Sequence, residues 1–364
     1  MLTRREFGFG LGAAAAVGTG TLLIRDAHSA EPIKVKLGSS LGLYELPNAA
    51  WMSGLHKKLG FYAEEGLTVE YLATGNTANS FHAIVTGDSD YGLVTGSTFL
   101  PFLAQNPNAD ILSIYAVIPQ PYWYVAVKKD SPYQQLKDLK GKNIGIMNVG
   151  DIGYFAAKSQ FKELGIDPLN DVNFITVGNG GPAGQALYSG KVDALAIWDV
   201  IYAGIEPLGF PLRGLPNLPS NEHVIGATYG VKASTFKQKR DVFAKWFRAV
   251  TKSTVFTYNN REQAVRIFWD MYPEGKPKGK TEDVAIADAV AGLDVRKEKW
   301  LPLKSDADQR MGVQSEVEWK NAVRIMDLED KIKDVKPLFT NDIIDEANAF
   351  DQNALAQMAK SFKL

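Results

Sequence analysis

SGKVDALAIWD, residues Ser189 to Asp199, rewrites an earlier stretch of the same chain, TGDSDYGLVTG, residues Thr86 to Gly96. Both run small residue, Gly, two intervening residues, Asp, and then an apolar run with strand character. Gly87 falls on Gly190, Asp90 on Asp193 and Val94 on Ile197, each 103 residues apart. Extended upstream without a gap, the same offset sets YLATGN (Tyr71 to Asn76) on FITVGN (Phe174 to Asn179), so that Gly75 and Asn76 meet Gly178 and Asn179. Further upstream, KKLGFYAEEGLTVEY resembles KELGIDPLNDVNFI after a small shift in register. A period this long exceeds the single supersecondary unit of a solenoid. It describes two similar α/β lobes.

Size agrees with that reading. At 364 residues and 45% hydrophobic content the chain can bury more than one core, and chains beyond roughly 250–300 residues tend to divide into domains. The formal net charge of -1 marks out neither nucleic acid nor an anionic membrane as a partner. The first residues, TRREFGFGLGAAAAVGTGTLLI, place paired arginines before a Gly/Ala-rich apolar stretch that Arg25 and Asp26 cut short. This predicts a cleaved export signal of the twin-arginine kind over residues 1–30, removed after Ser29 or Ala30, and hence a periplasmic protein. No other long apolar run suggests stable membrane insertion. The absence of cysteine removes disulfides, thiolate metal sites and thiol nucleophiles together.

After the leader, strands alternate with short helices. IKVKLG, LTVEYLA, YGLVTG and DILSIYAVI read as strands; PNAAWMSGLHKKLG, TANSFHAIVTG and STFLPFLAQN read as helices between them. The alternation predicts a mostly parallel sheet with both faces covered. YWYVAVKKDSP is extended, and NIGIMNVG, YFAAKSQFKELG, VNFITVG, AGQALYSG and VDALAIWD repeat the pattern in a second lobe closed by the Pro/Gly-rich EPLGFPLRGLPNLPSNE. HVIGATYGV returns the chain, making Tyr122–Lys129 and His223–Val231 the two crossings. The expected division is residues 31–124 for the first part of lobe 1, 125–225 for lobe 2 and 226–364 for the remainder of lobe 1. From Ser234 onward the chain reads as helices, with Phe236, Phe243, Phe247 and Val250 forming a stripe that packs on the first lobe.

In parallel α/β sheets, ligands sit beyond the carboxyl ends of strands, where helix N-termini offer unpaired N–H groups and a favourable dipole. The first lobe supplies Ser39, Ser40 and Tyr44, then Gly75 and Asn76, then Thr95, Gly96 and Ser97. The second supplies Asn148, Gly150, Asp151 and Tyr154, then Gly178 and Asn179, then Trp198 and Asp199, with Tyr122 at the first crossing. Two facing half-sites on a two-stranded crossing close on one small molecule. The plainer roles are helix capping for the Ser, Asn and Asp residues and turn formation for the glycines. Asp199 repels an anion directly, so its work is to orient a donor, meet a ligand amine or cap a helix. No Arg or Lys falls in these loops, so no bidentate clamp is visible. The aromatic residues favour an organic ligand over a bare inorganic ion.

LKDLKGKNIGI, ALYSGKVDALAIWD and LGFYAEEGLTVEY resemble the substrate-binding proteins of bacterial ABC transporters in the sulfonate, nitrate and taurine group. The resemblance covers nearly the whole exported chain. It implies the two-lobed periplasmic-binding fold of type II, with two mostly parallel sheets, two hinge strands and a helical C-terminal segment on lobe 1. It also implies a monomer that takes up a small organic anion, a sulfonate or carboxylate, and delivers it to an ABC permease with its ATPase subunit. Ser39, Thr74, Gly75, Asn76, Thr95, Gly96, Ser97, Trp198 and Asp199 carry over as candidate contacts. That group often continues WD with Pro; this chain has Val200, which sets the sulfonates themselves in question. The fold is similar, too, to that of thiamine-pyrimidine precursor proteins, whose site is Cys-rich where this chain has no Cys.

Other chemistries are weaker. GSSLG, Gly38 to Gly42, fits the nucleophile elbow G-x-S-x-G after a strand, with Ser40 as nucleophile and only His56, His82 and His223 available as base. GNGGPA, Gly178 to Ala183, fits a dinucleotide fingerprint, but its first-lobe counterpart GNTANS does not. Asp88 to Asp90 and Glu64–Glu65 lack the ligand count of a metal site. The expectation is therefore a binding protein with no catalytic residue, no cofactor and no metal, the alternative being a subunit that presents the same ligand to a membrane sensor.

Overall fold

The computed structural model describes residues 31–39 and 58–364. The leader, Ser40, Tyr44, His56 and most of the expected helix PNAAWMSGLHKKLG lie outside the described residues.

Ten strands are described: β1 Ile33–Ser39, β2 Leu67–Ala73, β3 Tyr91–Thr95, β4 Leu112–Ile118, β5 Trp123–Lys128, β6 Asn143–Ile146, β7 Asn173–Thr176, β8 Ala194–Trp198, β9 Leu212–Gly214 and β10 Ala227–Val231. They form two five-stranded sheets, in the orders β2-β1-β3-β10-β4 and β7-β6-β8-β5-β9. The principal helices are α1 Thr77–Thr86, α2 Gly96–Gln105, α3 Ile152–Glu163, α4 Gly180–Tyr188, α5 Asp199–Ile205, α6 Ala233–Asn259, α7 Arg261–Met271, α8 Glu282–Arg296, α9 Glu316–Ile325 and α10 Gln352–Ser361.

In the first sheet β1 pairs parallel with β2 and β3, while β10 runs antiparallel to β3 and β4. In the second, β6 pairs parallel with β7 and β8, while β5 runs antiparallel to β8 and β9. The sheets are thus mixed in the same way. Each contains one reversed strand, and that strand has just crossed from the other sheet.

The repeat has a mechanical basis. Asp90 donates its N–H to Lys36 O (3.0 Å) and accepts the Lys36 N–H on Oδ2 (2.8 Å). Asp193 donates to Asn143 O (2.8 Å) and accepts the Asn143 N–H on Oδ2 (3.0 Å). In each lobe one Asp therefore docks the third strand onto the central one and satisfies two backbone groups at a strand start. Gly75 and Gly178, at φ 78° and 74°, make the left-handed turn that follows the second strand of each lobe.

The first core packs α6 against the first sheet. Its stripe of Phe236, Phe243, Phe247 and Val250 is buried, Trp246 stacks on Tyr62 (4.6 Å) and Phe247 stacks on Tyr115 (4.5 Å). The second sheet is covered on both faces. Val125, Val127, Ile144 and Ile146 pack with Ala157 and Phe161 of α3, whereas Ala126, Leu195 and Ile197 pack with α4 and α5. Burial on both faces is why β8 reads as an unbroken apolar run instead of an alternating one.

Two details depart from the expectation. The Pro/Gly-rich passage holds a strand, β9, which pairs with β5. The returning crossing is strand only from Ala227, because Gly226 passes so close to Ile118 O and Gln120 O that a Cβ would collide with them. Ile225 directs its N–H to Glu318 O of α9 (3.5 Å) instead of to a sheet partner.

Candidate ligand-binding site

At the carboxyl ends of the first sheet, Ser39 closes β1 beside Ala73 of β2. Asn76 caps α1, its Oδ1 accepting the Asn79 N–H at 2.8 Å. Thr95 begins α2 with a reciprocal capping box to Thr98, and its Oγ1 lies 3.1 Å from Ser97 Oγ. Gly96 is buried; a Cβ there would stand 3.8 Å from that of Ala322 on α9. Three hydroxyls and the first-turn N–H groups thus gather at one helix start, a donor-rich arrangement suited to an oxyanion.

At the corresponding ends of the second sheet, Asn148 is exposed and accepts the Gly150 N–H at 2.9 Å. Asp151 caps α3, accepting the Gly153 N–H at 2.8 Å, and is 6% exposed. Gly153 seats that turn directly on β8, since a Cβ would approach Ala196 O to 2.6 Å. Burial pushes the Asp151 carboxyl up to about 7, its two backbone donors only partly offsetting the loss of water. No cation pairs with it among the described residues; Tyr122 and Tyr202 are titratable groups that interact with it. Tyr154 packs its ring against Phe174 (4.9 Å), which makes it part of the second core. Asn179 is exposed at the start of α4.

Tyr122, Trp198 and Asp199 are brought together at the first crossing. The Tyr122 and Trp198 rings lie 6.4 Å apart, and Asp199 donates its N–H to Tyr122 O at 2.9 Å. The Asp199 side chain is already engaged. Arg296 donates Nε to both carboxylate oxygens (2.9 Å each) and Nη2 to Oδ1, while Lys299 Nζ reaches Oδ2 at 3.0 Å. The Arg296 guanidinium also lies over the Tyr122 ring at 4.4 Å. Arg296 and Lys299 are the cations that sequence reasoning did not find, because they arrive from the C-terminal segment and no local pattern ties them to Asp199. The remaining described histidines stand apart: His82 is exposed on α1, and His223 Nδ1 is 3.7 Å from Asp306.

Among the described residues no group of three or more His, Cys, Asp or Glu side chains could hold a metal ion. No described helix is long and apolar enough to cross a membrane.

The fold is shared with solved binding proteins. The periplasmic aliphatic sulphonate-binding protein SsuA of Escherichia coli superposes with a TM-score of 0.62 at 18% identity, covering 84% of this chain and 95% of that one. The alkanesulfonate-binding protein SsuA of Xanthomonas axonopodis pv. citri, bound to MOPS, gives 0.58 at 18% identity over 83% and 93% of the two chains. The ligand-binding component of an ABC-type import system from Staphylococcus aureus gives 0.55 at 14% identity over 86% and 99%. These likenesses establish the two-lobed periplasmic-binding fold. In sequence, a binding protein of Bacillus subtilis, YtlA, is 20% identical over 201 residues, 55% of this chain and 60% of that protein's length. The family model described as NMT1/THI5 like matches residues 55–264, which is more than half the chain. The chain belongs to the NMT1/THI5-like family.

Proposed function

We propose that this protein is the solute-capturing component of a bacterial ABC import system, which holds a small organic anion between its lobes in the periplasm and hands it to a membrane permease served by an ATPase subunit. The observation that carries the reading is the duplication of one device. Each lobe ends its parallel strands at glycine turns and capped helix starts, and two reversed strands join the lobes. The family and the solved sulfonate-binding proteins of the same fold support it. Lobe 1 comprises residues 31–124 and 226–364, and lobe 2 residues 125–225.

The anionic group belongs at the start of α2, where Thr95, Gly96 and Ser97 present hydroxyls and amides. Ser39, Gly75 and Asn76 complete that half, to which Ser40 and Tyr44 are assigned from the sequence alone. Tyr122, Trp198, Asn148, Asp151 and Asn179 form the opposing half, which Tyr154 backs from the second core. Asp199, saturated by Arg296 and Lys299, orients this wall instead of touching the ligand. Binding to one lobe and completion of the contacts by the other makes closure a shift of populations, with no bond made or broken.

Mass spectrometry of the solute that co-purifies with the protein tests the assignment without a chosen panel; a sulfonate or carboxylate of low mass supports it, and catalytic turnover by the pure protein overturns it. Trp198→Ala should weaken that solute's binding by about tenfold or more in calorimetry while the protein stays folded. Unchanged affinity would take Trp198 out of the site.

A further inference from the structure

The C-terminal helices are fixed to the first lobe and take hold of the second at both of its faces. Helix α8 is tied to α7 by the Arg261–Asp294 ion pair (2.6 Å), and the turn after it is tied to α6 by the Tyr258–Glu298 hydrogen bond (2.9 Å). From there Arg296 and Lys299 reach Asp199 at the head of α5. Helix α9 is held by Trp319, whose ring lies against Phe99 at 5.5 Å. Its end carries Arg324 to Ser159 Oγ of α3 (3.1 Å) and to Ser220 O beyond it (2.8 Å), and Asp327 to Lys158 (3.2 Å) and Lys162 (2.8 Å) of α3. Since α5 covers one face of the second sheet and α3 the other, the second lobe is gripped on both faces.

The grips differ in their surroundings. The Arg296 and Asp199 side chains are 9% and 2% exposed, against 25%, 65% and 37% for Lys158, Lys162 and Asp327. Separating the buried pair strands charges away from water, whereas the exposed pairs exchange one another for water at small cost. A swing about the crossings cannot keep grips on opposite faces at constant length. The exposed one yields.

The backbone points the same way. Asp327, at φ 53°, is the one non-glycine residue with positive φ among those described. It follows α9 where Leu328 N–H returns to Val323 O and Asp327 N–H to Arg324 O, both at 3.0 Å, a position whose usual occupant is glycine. Aspartate there adopts a less comfortable backbone and presents a carboxylate to two lysines of the other lobe.

We infer that the second lobe swings about the buried Asp199–Arg296 pair, and that Asp327 with Lys158 and Lys162 is the catch that holds the lobes shut. The cysteine-free chain lets spin labels be placed at Val317→Cys on α9 and Leu169→Cys beyond α3, both exposed positions, so that the distance between them reads the opening. With no ligand added, Asp327→Gly should move the distance distribution to longer values without lowering the melting temperature. Raising sodium chloride from about 0.05 M to about 0.5 M should do the same in the parent and little more in the variant. Arg296→Lys should leave the distribution in place. An unchanged distribution in Asp327→Gly, or a lengthening in Arg296→Lys alone, overturns the inference, as does a fall in melting temperature that accounts for the Asp327→Gly change. Because the distances are read without a solute, their outcome is independent of whether the solute reading stands.

Discussion

Asp151 and Asp199 stand at the ends of the neighbouring strands β6 and β8, yet their carboxyl groups meet opposite conditions. Asp199 is matched by two cations, whereas Asp151 is buried with backbone donors alone. An unfolded Asp titrates near 3.9, so raising Asp151 to about 7 means that the folded state binds this proton more tightly. Its contribution is fully present below about pH 4 and is lost as pH climbs through 7, a decline of roughly 4 kcal/mol. Glu318, pushed up to about 7 by burial, adds a second slope of the same sign. Asp151→Asn should therefore remove about half of the stability loss seen in urea unfolding between pH 5 and pH 8; an unaltered slope would mean that Asp151 is ionised throughout. Of this scale the sequence disclosed positions and not partners. Asp151 and Asp199 were both visible as strand-end residues, but Arg296 lies 97 residues beyond Asp199 in a charged helix end that resembles any solvated one.

Among the elements, the offset of 103 residues carried β3 onto β8 and the start of α2 onto that of α5, down to the residue. It was legible because the same Asp and Gly must recur wherever the same strand entry and turn recur. The strand β9 was not legible: three residues between prolines and glycines offer no alternation to detect, and only its pairing with β5 creates it. The start of β10 was hidden for a related reason, since contact between the two crossings, and no local preference, ends the strand at Gly226. Gly226→Ala should cost about 1–3 kcal/mol, because the Cβ meets carbonyl oxygens of backbone and not a side chain that can turn away. Thermal unfolding would read this directly, and an unchanged melting temperature would show that the crossings separate freely.

At the scale of the whole molecule, a solute that binds only the folded protein must stabilise it by mass action, about 2.7 kcal/mol at a hundredfold excess over its dissociation constant. The melting temperature should thus climb with the concentration of the co-purified solute and stay flat with compounds outside its class. The two-lobed layout was foreseeable because length and repetition both demanded it. The chemistry of the ligand was not, since hydroxyls and amides at helix starts recognise many oxyanions alike. The pairing of Ala227 with Ile118 makes the second lobe an insertion within the first sheet. β4 and β10 are antiparallel neighbours, so the whole of residues 119–226 occupies the place of a hairpin loop. Excising that insertion and joining Ile118 to Ala227 through an Asn-Gly turn should yield a miniature with an intact first sheet.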